Sequence, residues 1–251
     1  MVNTTNNLLE KKAKQIRRDI LDLAVKHKDG HISPAFSTIE VLVALYYGIM
    51  GKKDKFILSK GHACLSLYAI LMDKGFKPKI SGHPDIEEDQ GVCCTTGSLG
   101  HGLPIGLGMA FARKIQGKNG RIFVLVGDGE CQEGTIWESL NLTRRFKLDN
   151  LTVIVDHNKF QALTSIMEIM DEKNLKKKFE SFGANVFEVD GHNFGQLFDV
   201  LSDKKIKKGS TTVIIANTVK GKGVSFMEDK PAWHSRIPEG KLLEQAYLEL
   251  K

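Results

Sequence analysis

A chain of 251 residues, 41% of them hydrophobic and 26% charged, is long enough to bury one large core without dividing into domains. No run approaches the ~18 consecutive apolar residues of a membrane-crossing helix, and the opening Met1-Val-Asn-Thr-Thr-Asn-Asn carries no signal-peptide apolar segment; a cytoplasmic protein without a membrane partner is expected. The net charge of +6 is scattered among acidic residues, as where Lys176-Lys-Lys178 stands beside Glu180, and no basic-aromatic pattern or recognisable module accompanies it, so nucleic acid is not an expected partner.

Residues 5–28 read as a polar helix rich in Lys and Arg. Ser37-Thr-Ile-Glu40 has the form of a capping box opening a second helix through Tyr47, and Cys64 to Lys74 gives a third. His101 to Gln116 is a glycine-rich helix whose small residues permit close packing. Arg121 to Gly127 and Leu151 to Asp156 are β-branched, nearly continuous apolar runs, the pattern of adjacent central strands buried on both faces of a parallel sheet. Between them Thr135-Ile-Trp-Glu138 fits a capping box, with Trp137, Leu140, Leu142 and Phe146 available to the helix's buried side. Ala184 to Val189 and Thr211 to Asn217 add further strands. The expected fold is α/β, a doubly wound, mostly parallel sheet with helices on both faces, in a single domain over 1–251. Cys64, Cys93, Cys94 and Cys131 form no Cys-x-x-Cys pair and read as reduced and structural.

The chemistry concentrates past the two central strands. Gly127-Asp128-Gly129-Glu130 follows the first, and Asn158 follows the second, thirty positions after Asp128. In a parallel sheet both fall beyond the carboxyl ends, where ligands bind. An aspartate and an asparagine there present two hard oxygen ligands suited to Mg2+, with a diphosphate completing the octahedron. Gly127 and Gly129 allow the turns and the close backbone approach that a phosphate needs. Neither a Gly-x-Gly-x-x-Gly fingerprint nor a Gly-x-x-x-x-Gly-Lys loop occurs, which disfavours dehydrogenases and NTPases.

The Gly-Asp-Gly run followed about thirty residues later by Asn resembles the metal motif of thiamine-diphosphate enzymes, and more narrowly the amino-terminal half of the transketolases. The likeness runs in order through Asp29-Gly30-His31, Ser59-Lys60-Gly61-His62-Ala63, Gly82-His83-Pro84, Thr96-Gly97-Ser98-Leu99-Gly100, Gly127-Asp128-Gly129, Asn158-Lys159, Asp190-Gly191-His192 and Lys220-Gly221-Lys222-Gly223. The resemblance implies that Asp128, Asn158 and the carbonyl of Phe160 bind Mg2+. It implies that His62, Gly97, Ser98, Leu99, Gly129, Asn158 and His234 line thiamine diphosphate, and that His31, His83 and His234 face the sugar, with His31, His62, His83 and His234 as the catalytic set. Histidine suits these places because it donates and accepts near neutral pH. His27 and His157 read as surface or packing residues, and His192 as a turn or helix-entry residue. The sequence departs from the family pattern at His101, where Gln is usual, at Ser235 after Trp233-His234, at Gln161-Ala162-Leu163, and in the short segment between Lys74 and Gly82.

Transketolases carry the glutamate that activates the cofactor, and the arginines that hold sugar phosphate, on a pyrimidine-binding domain in the following half of the chain. The resemblance therefore implies the α subunit of a split enzyme. It would move a two-carbon ketol unit from a ketose to an aldose, sugars or sugar phosphates, together with a carboxy-terminal β subunit in a symmetric α2β2 assembly. The glycine-rich helix from His101 and the Glu133-Gly134 turn leading to Trp137 and Glu138 are the candidate contact surfaces. The alternatives are the α subunit of a 2-oxo-acid dehydrogenase, half of a deoxyxylulose-phosphate synthase, and an inactive cofactor-binding scaffold. Gly61-His62-Ala63, Gly82-His83-Pro84 and Trp233-His234 favour transketolase over the first two, and the intact metal motif argues against the third.

Overall fold

The computed structural model describes residues 2–170 and 174–251, with side chains from residue 6 onward; Met1, at the head of the segment read above for a leader, lies outside them. In chain order the elements are α1 (Val2–His27), α2 (Ile32–Phe36), α3 (Ile39–Ala44), β1 (Lys55–Leu58), α4 (Cys64–Asp73), α5 (Gly102–Ile115), β2 (Ile122–Gly127), α6 (Gly134–Phe146) and β3 (Leu151–His157). They continue with a short hairpin of β4 (Phe160–Gln161) and β5 (Thr164–Ser165), then α7 (Ile166–Ile169), α8 (Leu175–Ser181), β6 (Asn185–Asp190), α9 (Phe194–Leu201), β7 (Thr212–Asn217) and α10 (Lys241–Glu249). Among the described residues no helix is long and apolar enough to cross a membrane.

Five strands form one parallel sheet in the order β1-β2-β3-β7-β6. Side chains alternate between its faces, as the two-residue period of a strand requires. Phe123, Leu125, Ile154 and Ile214 join a core with α1 to α4 and α9. Ile122, Val124, Val126, Val153 and Val213 join a second core with α5, α6 and α8. The sheet is doubly wound, and β2 and β3 are adjacent in its middle, with Gly127 in register with Asp156. Each fully buried aliphatic or aromatic side chain in these strands contributes roughly 1.5–3 kcal/mol relative to exposure.

Neither capping box forms. Ser37 Oγ donates to Asp156 Oδ2 at 2.8 Å instead of capping α3, which starts after Thr38 with no side-chain cap. Its expected partner Glu40 accepts a bidentate pair from Arg17, both bonds 2.7 Å. The expected second helix is therefore shortened to α3, followed by a π-helical turn over Leu45–Ile49, and the separate α2 precedes it. In α6 the first residue is Gly134, the N-cap Glu133 makes no capping bond, and Thr135 Oγ1 donates to Gly100 O at 3.0 Å. Leu142, expected on the buried side, is 47% exposed. In both places tertiary bonds took the side chains that local pattern assigned to caps. The edge strand β1 went unread because only four residues form it, and their pattern has neither clean alternation nor length.

Candidate active site

β2, β3 and β7 end together, and the polar residues just beyond them surround a cavity of about 340 Å³. Its walls include His62, His83, Gly97, Leu99, Asp128, Gly129, Asn158, Phe160 and His234, all named from sequence, together with Pro34, Lys60, Glu130, Gln161, Ala162 and Lys220. His31 lines a second cavity of about 380 Å³, and His83 lines both. Ser98 is exposed and sits 3.2 Å from His101 Nδ1; the structure does not bring it into the main cavity.

Asp128 is buried and its two oxygens accept backbone bonds from Gly129 at 2.8 Å and from Lys159. The second bond needs Lys159 at φ 69°, a left-handed turn that bends the chain after β3 back over Asp128. Burial first, then the neighbouring Asp156, pushes the Asp128 carboxyl up to about 7. Asn158 Nδ2 donates to Asp156 Oδ2 at 2.9 Å, and Asn158 Oδ1 accepts from Phe160 N at 3.1 Å. Among the described residues no group of three or more His, Cys, Asp or Glu side chains could hold a metal, so a cation here would rely on one carboxylate, neutral oxygens and a ligand's own anion.

Asp156 is the fixed point behind these groups. It accepts from Lys60 Nζ, Thr218 Oγ1, Ser37 Oγ and Asn158 Nδ2. Burial alone would raise its carboxyl, but the Lys60 ammonium and these donors hold it below the usual range. Glu130 ties a second set together: its carboxylate accepts from Gly127 N at 2.9 Å, from Gly100 N at 2.8 Å and from Ser59 Oγ, and burial raises it. These three bonds join the turn after β2 to the loops that carry Gly97 and Lys60.

Lys220 is a cation held at the cavity wall. Its ammonium donates to Ala162 O at 2.8 Å and lies 5.7 Å from the Phe160 ring centroid; burial, then the Lys60 charge, lowers it to about 8. The backbone leading to it is fixed by His192, whose Nε2 accepts from Val219 N at 2.9 Å while Nδ1 bonds Glu40 Oε2 at 2.8 Å. His192 is thus a helix-entry residue with a structural bond at each ring nitrogen.

Three imidazoles meet at the cavity's edge, with ring centroids 5.9 Å apart for His31 and His62, 5.5 Å for His31 and His234, and 5.5 Å for His62 and His234. Burial, then Lys60, pushes His62 down to about 2. Burial, then Lys220, pushes His234 down to about 3. Both rings are neutral at neutral pH and able to donate from one nitrogen while accepting at the other. His234 Nδ1 and Gln161 Oε1 are buried with no hydrogen-bond partner among the described residues. Lys220 has no carboxylate within ion-pair distance among the described residues, so an anionic group would answer its charge, while a ligand hydroxyl could donate to Gln161 Oε1.

The sequence reading omitted Asp156, Glu130, Gln161 and the two lysines from the site. A signal existed for Asp156, a charge inside an otherwise apolar strand run, and for Lys60 and Lys220, which lie within the ordered motifs. Glu130 ends the Gly127-Asp128-Gly129-Glu130 run and Gln161 opens a departure from the family pattern, but neither position carries a local sign of its bonds.

A family model described as the transketolase thiamine diphosphate binding domain matches residues 9–239. The chain is 38% identical to an apulose-4-phosphate transketolase subunit of Actinobacillus succinogenes, over 99% of this chain and 98% of that protein. It is 34% identical to the 6-deoxy-6-sulfo-D-fructose transketolase subunit SqwG of a Clostridium species, over 97% of this chain and 96% of that protein. Among solved structures, transketolase from Leishmania mexicana superposes with a TM-score of 0.87 at 26% identity, covering 96% of this chain and 41% of that one. Transketolase from Campylobacter jejuni gives 0.85 at 26% identity, covering 97% and 43%. The chain thus spans about two-fifths of these two transketolases and nearly the full length of the two subunits.

Proposed function

Since this chain belongs to the transketolase family, in its thiamine diphosphate-binding domain, we propose that it is the α subunit of a split transketolase, transferring a two-carbon ketol unit with Mg2+, thiamine diphosphate and a separate β subunit. The observation that carries the reading is the pairing of Asp128 with Asn158 at the mouth of β2 and β3, beside the Lys220 ammonium and the unsatisfied His234 and Gln161 atoms.

In this reading Asp128, the Asn158 side-chain oxygen and the Phe160 carbonyl hold Mg2+. One carboxylate and neutral oxygens suit a hard cation that takes its remaining charge from a diphosphate. Lys220 and His62 face that diphosphate, and Gly129 lets the backbone run close under Gln161, where a Cβ would stand only 3.0 Å from that side chain. When bound, the cofactor supplies the carbanion chemistry, and the protein supplies position and electrostatics. His62 and His234, neutral and close together, hold the sugar's hydroxyls and pass protons at its oxygens, while His31 and His83 bound its path from the second cavity.

The β subunit brings the pyrimidine-binding domain, its cofactor-activating glutamate and the groups that read the sugar's distal end. The relatives' being named as subunits supports a partner. An α2β2 assembly restores closed twofold symmetry, with α5 and the start of α6 as contact surfaces.

Calorimetry on the assembled complex tests the metal site. Asp128→Ala should abolish Mg2+-dependent thiamine diphosphate binding and Asn158→Ala should weaken it strongly; undiminished affinity in Asp128→Ala would refute the assignment.

A further inference from the structure

Asp29 lies in the connection from α1 to α2, two residues before His31. Its Oδ1 accepts two bonds from that histidine, from the backbone N at 3.0 Å and with the ring Nδ1 at 3.0 Å. The backbone bond alone would make an ordinary Asx turn. The ring bond is a different matter, because it decides which nitrogen carries the proton. Burial acts to raise the Asp29 carboxyl, but bonds from the His31 ring and backbone, with a further contribution from Cys64, outweigh it and hold it below the usual value. An ionised carboxylate only accepts, so the proton of a neutral His31 ring must sit on Nδ1 and the lone pair on Nε2.

Asp29 is itself held. Its Oδ2 lies 3.7 Å from the buried Cys64 Sγ, on the helix that follows His62-Ala63. His31 bounds the second cavity, and its ring stands at 87° to that of His234, with the centroids 5.5 Å apart. The other two rings of the cluster stand differently. His62 and His234 are kept neutral by burial and lysines, and His234 Nδ1 has no partner, so neither has its tautomer set by a carboxylate.

We propose that Asp29 is a positioning residue: it fixes His31 in the Nδ1-protonated tautomer, so that Nε2 stands as a hydrogen-bond acceptor for a sugar hydroxyl where the two cavities meet. The sugar's presence rests on the proposed function; the tautomer does not. Carboxylates that orient metal-bound histidines change activity roughly 10- to 100-fold when removed, and the same order is expected for one that orients a sugar-facing ring.

The test uses the full chain labelled with ¹⁵N in its histidine rings, and the same chain assembled with its β subunit for activity. The His31 ring should show a protonated Nδ1 and a bare Nε2 in the unaltered chain. Asp29→Ala should lose that tautomer and lower kcat/KM roughly 10- to 100-fold with thiamine diphosphate affinity unchanged, and Asp29→Asn, which keeps an acceptor, should recover most of both. A protonated Nε2 in the unaltered chain would overturn the proposal even if Asp29→Ala failed to fold. So would an Asp29→Ala complex that lost the tautomer without losing activity, or lost activity with the tautomer intact. An unaltered complex without any ketol transfer would count against the proposed function, while the spectrum of the chain still decides whether Asp29 sets His31.

Discussion

Asp156 Oδ2 accepts a hydrogen bond from Asn158 Nδ2 at 2.9 Å, so the last buried carboxylate of β3 fixes which end of the Asn158 amide faces the cavity. One amide hydrogen is spent on Asp156, and the oxygen is left for Phe160 N and a cation. The same carboxylate neutralises buried Lys60 and ties Ser37 and Thr218 to the site. One residue with no direct role toward a ligand therefore sets the geometry of several that have one.

Asp156→Ala should accordingly damage stability and binding together. It strands the Lys60 ammonium in a buried position, which costs about 3–5 kcal/mol, and frees the Asn158 amide to rotate. Chemical denaturation should show the loss. Adding Lys60→Met should restore part of the stability without restoring Mg2+-dependent thiamine diphosphate affinity, because the Asn158 anchor stays missing.

Glu40 predicts an acid limb in the stability curve. Burial acts to raise its carboxyl, but Arg17, then His192, hold it down at about 2 against an ordinary 4.5. A carboxyl depressed on folding stabilises fully above its unfolded pKa, and that contribution disappears as pH falls from about 4.5 toward about 2. The pH-dependent share is on the order of 2–4 kcal/mol. Glu40→Gln should flatten the decline between about pH 5 and about pH 2 in urea titrations. It should also lower stability at neutral pH, since Arg17 stays buried without its anion.

Gly30 joins two site loops by close approach: a Cβ there would stand 2.4 Å from Ser235 O. Backbone cannot yield as a side-chain tip does. Gly30→Ala should push the His31 and His234 loops apart, destabilise by about 1–3 kcal/mol, and reduce turnover far more than it reduces thiamine diphosphate affinity. Thermal melts and a comparison of turnover with calorimetry would read the two effects separately.

His62→Ala and His234→Ala should each lower turnover of the assembled complex by roughly 10²-fold or more with little change in melting temperature. His234 Nδ1 already lacks a partner, so its removal leaves no new unsatisfied group. A large fall in melting temperature with normal turnover would mark either ring as packing instead.

The long apolar runs that became β2, β3 and β7 were legible because strands buried on both faces have only one way to read, and their ends located Asp128 and Asn158. The glycine-rich α5 was legible to within a residue at each end. The capping boxes failed because Ser37 and Glu40 form their bonds with residues more than twenty positions away, which no local pattern contains. For the same reason Glu130 stayed hidden: its value lies in meeting Gly100 and Ser59, three loops brought together only by the sheet. Asp29 was visible as part of a motif, but its bond to a ring nitrogen is a matter of side-chain direction.

The central claim, that this chain is half of a transketolase site, is tested most directly by reconstitution. The chain would be titrated with a purified pyrimidine-domain partner at saturating Mg2+ and thiamine diphosphate, and ketol transfer from a ketose to an aldose followed at each ratio. No transfer from either chain alone, and activity rising to a plateau at one partner per chain, is the predicted result. Full activity from this chain by itself, or none at any ratio from a partner that binds it, would contradict the account.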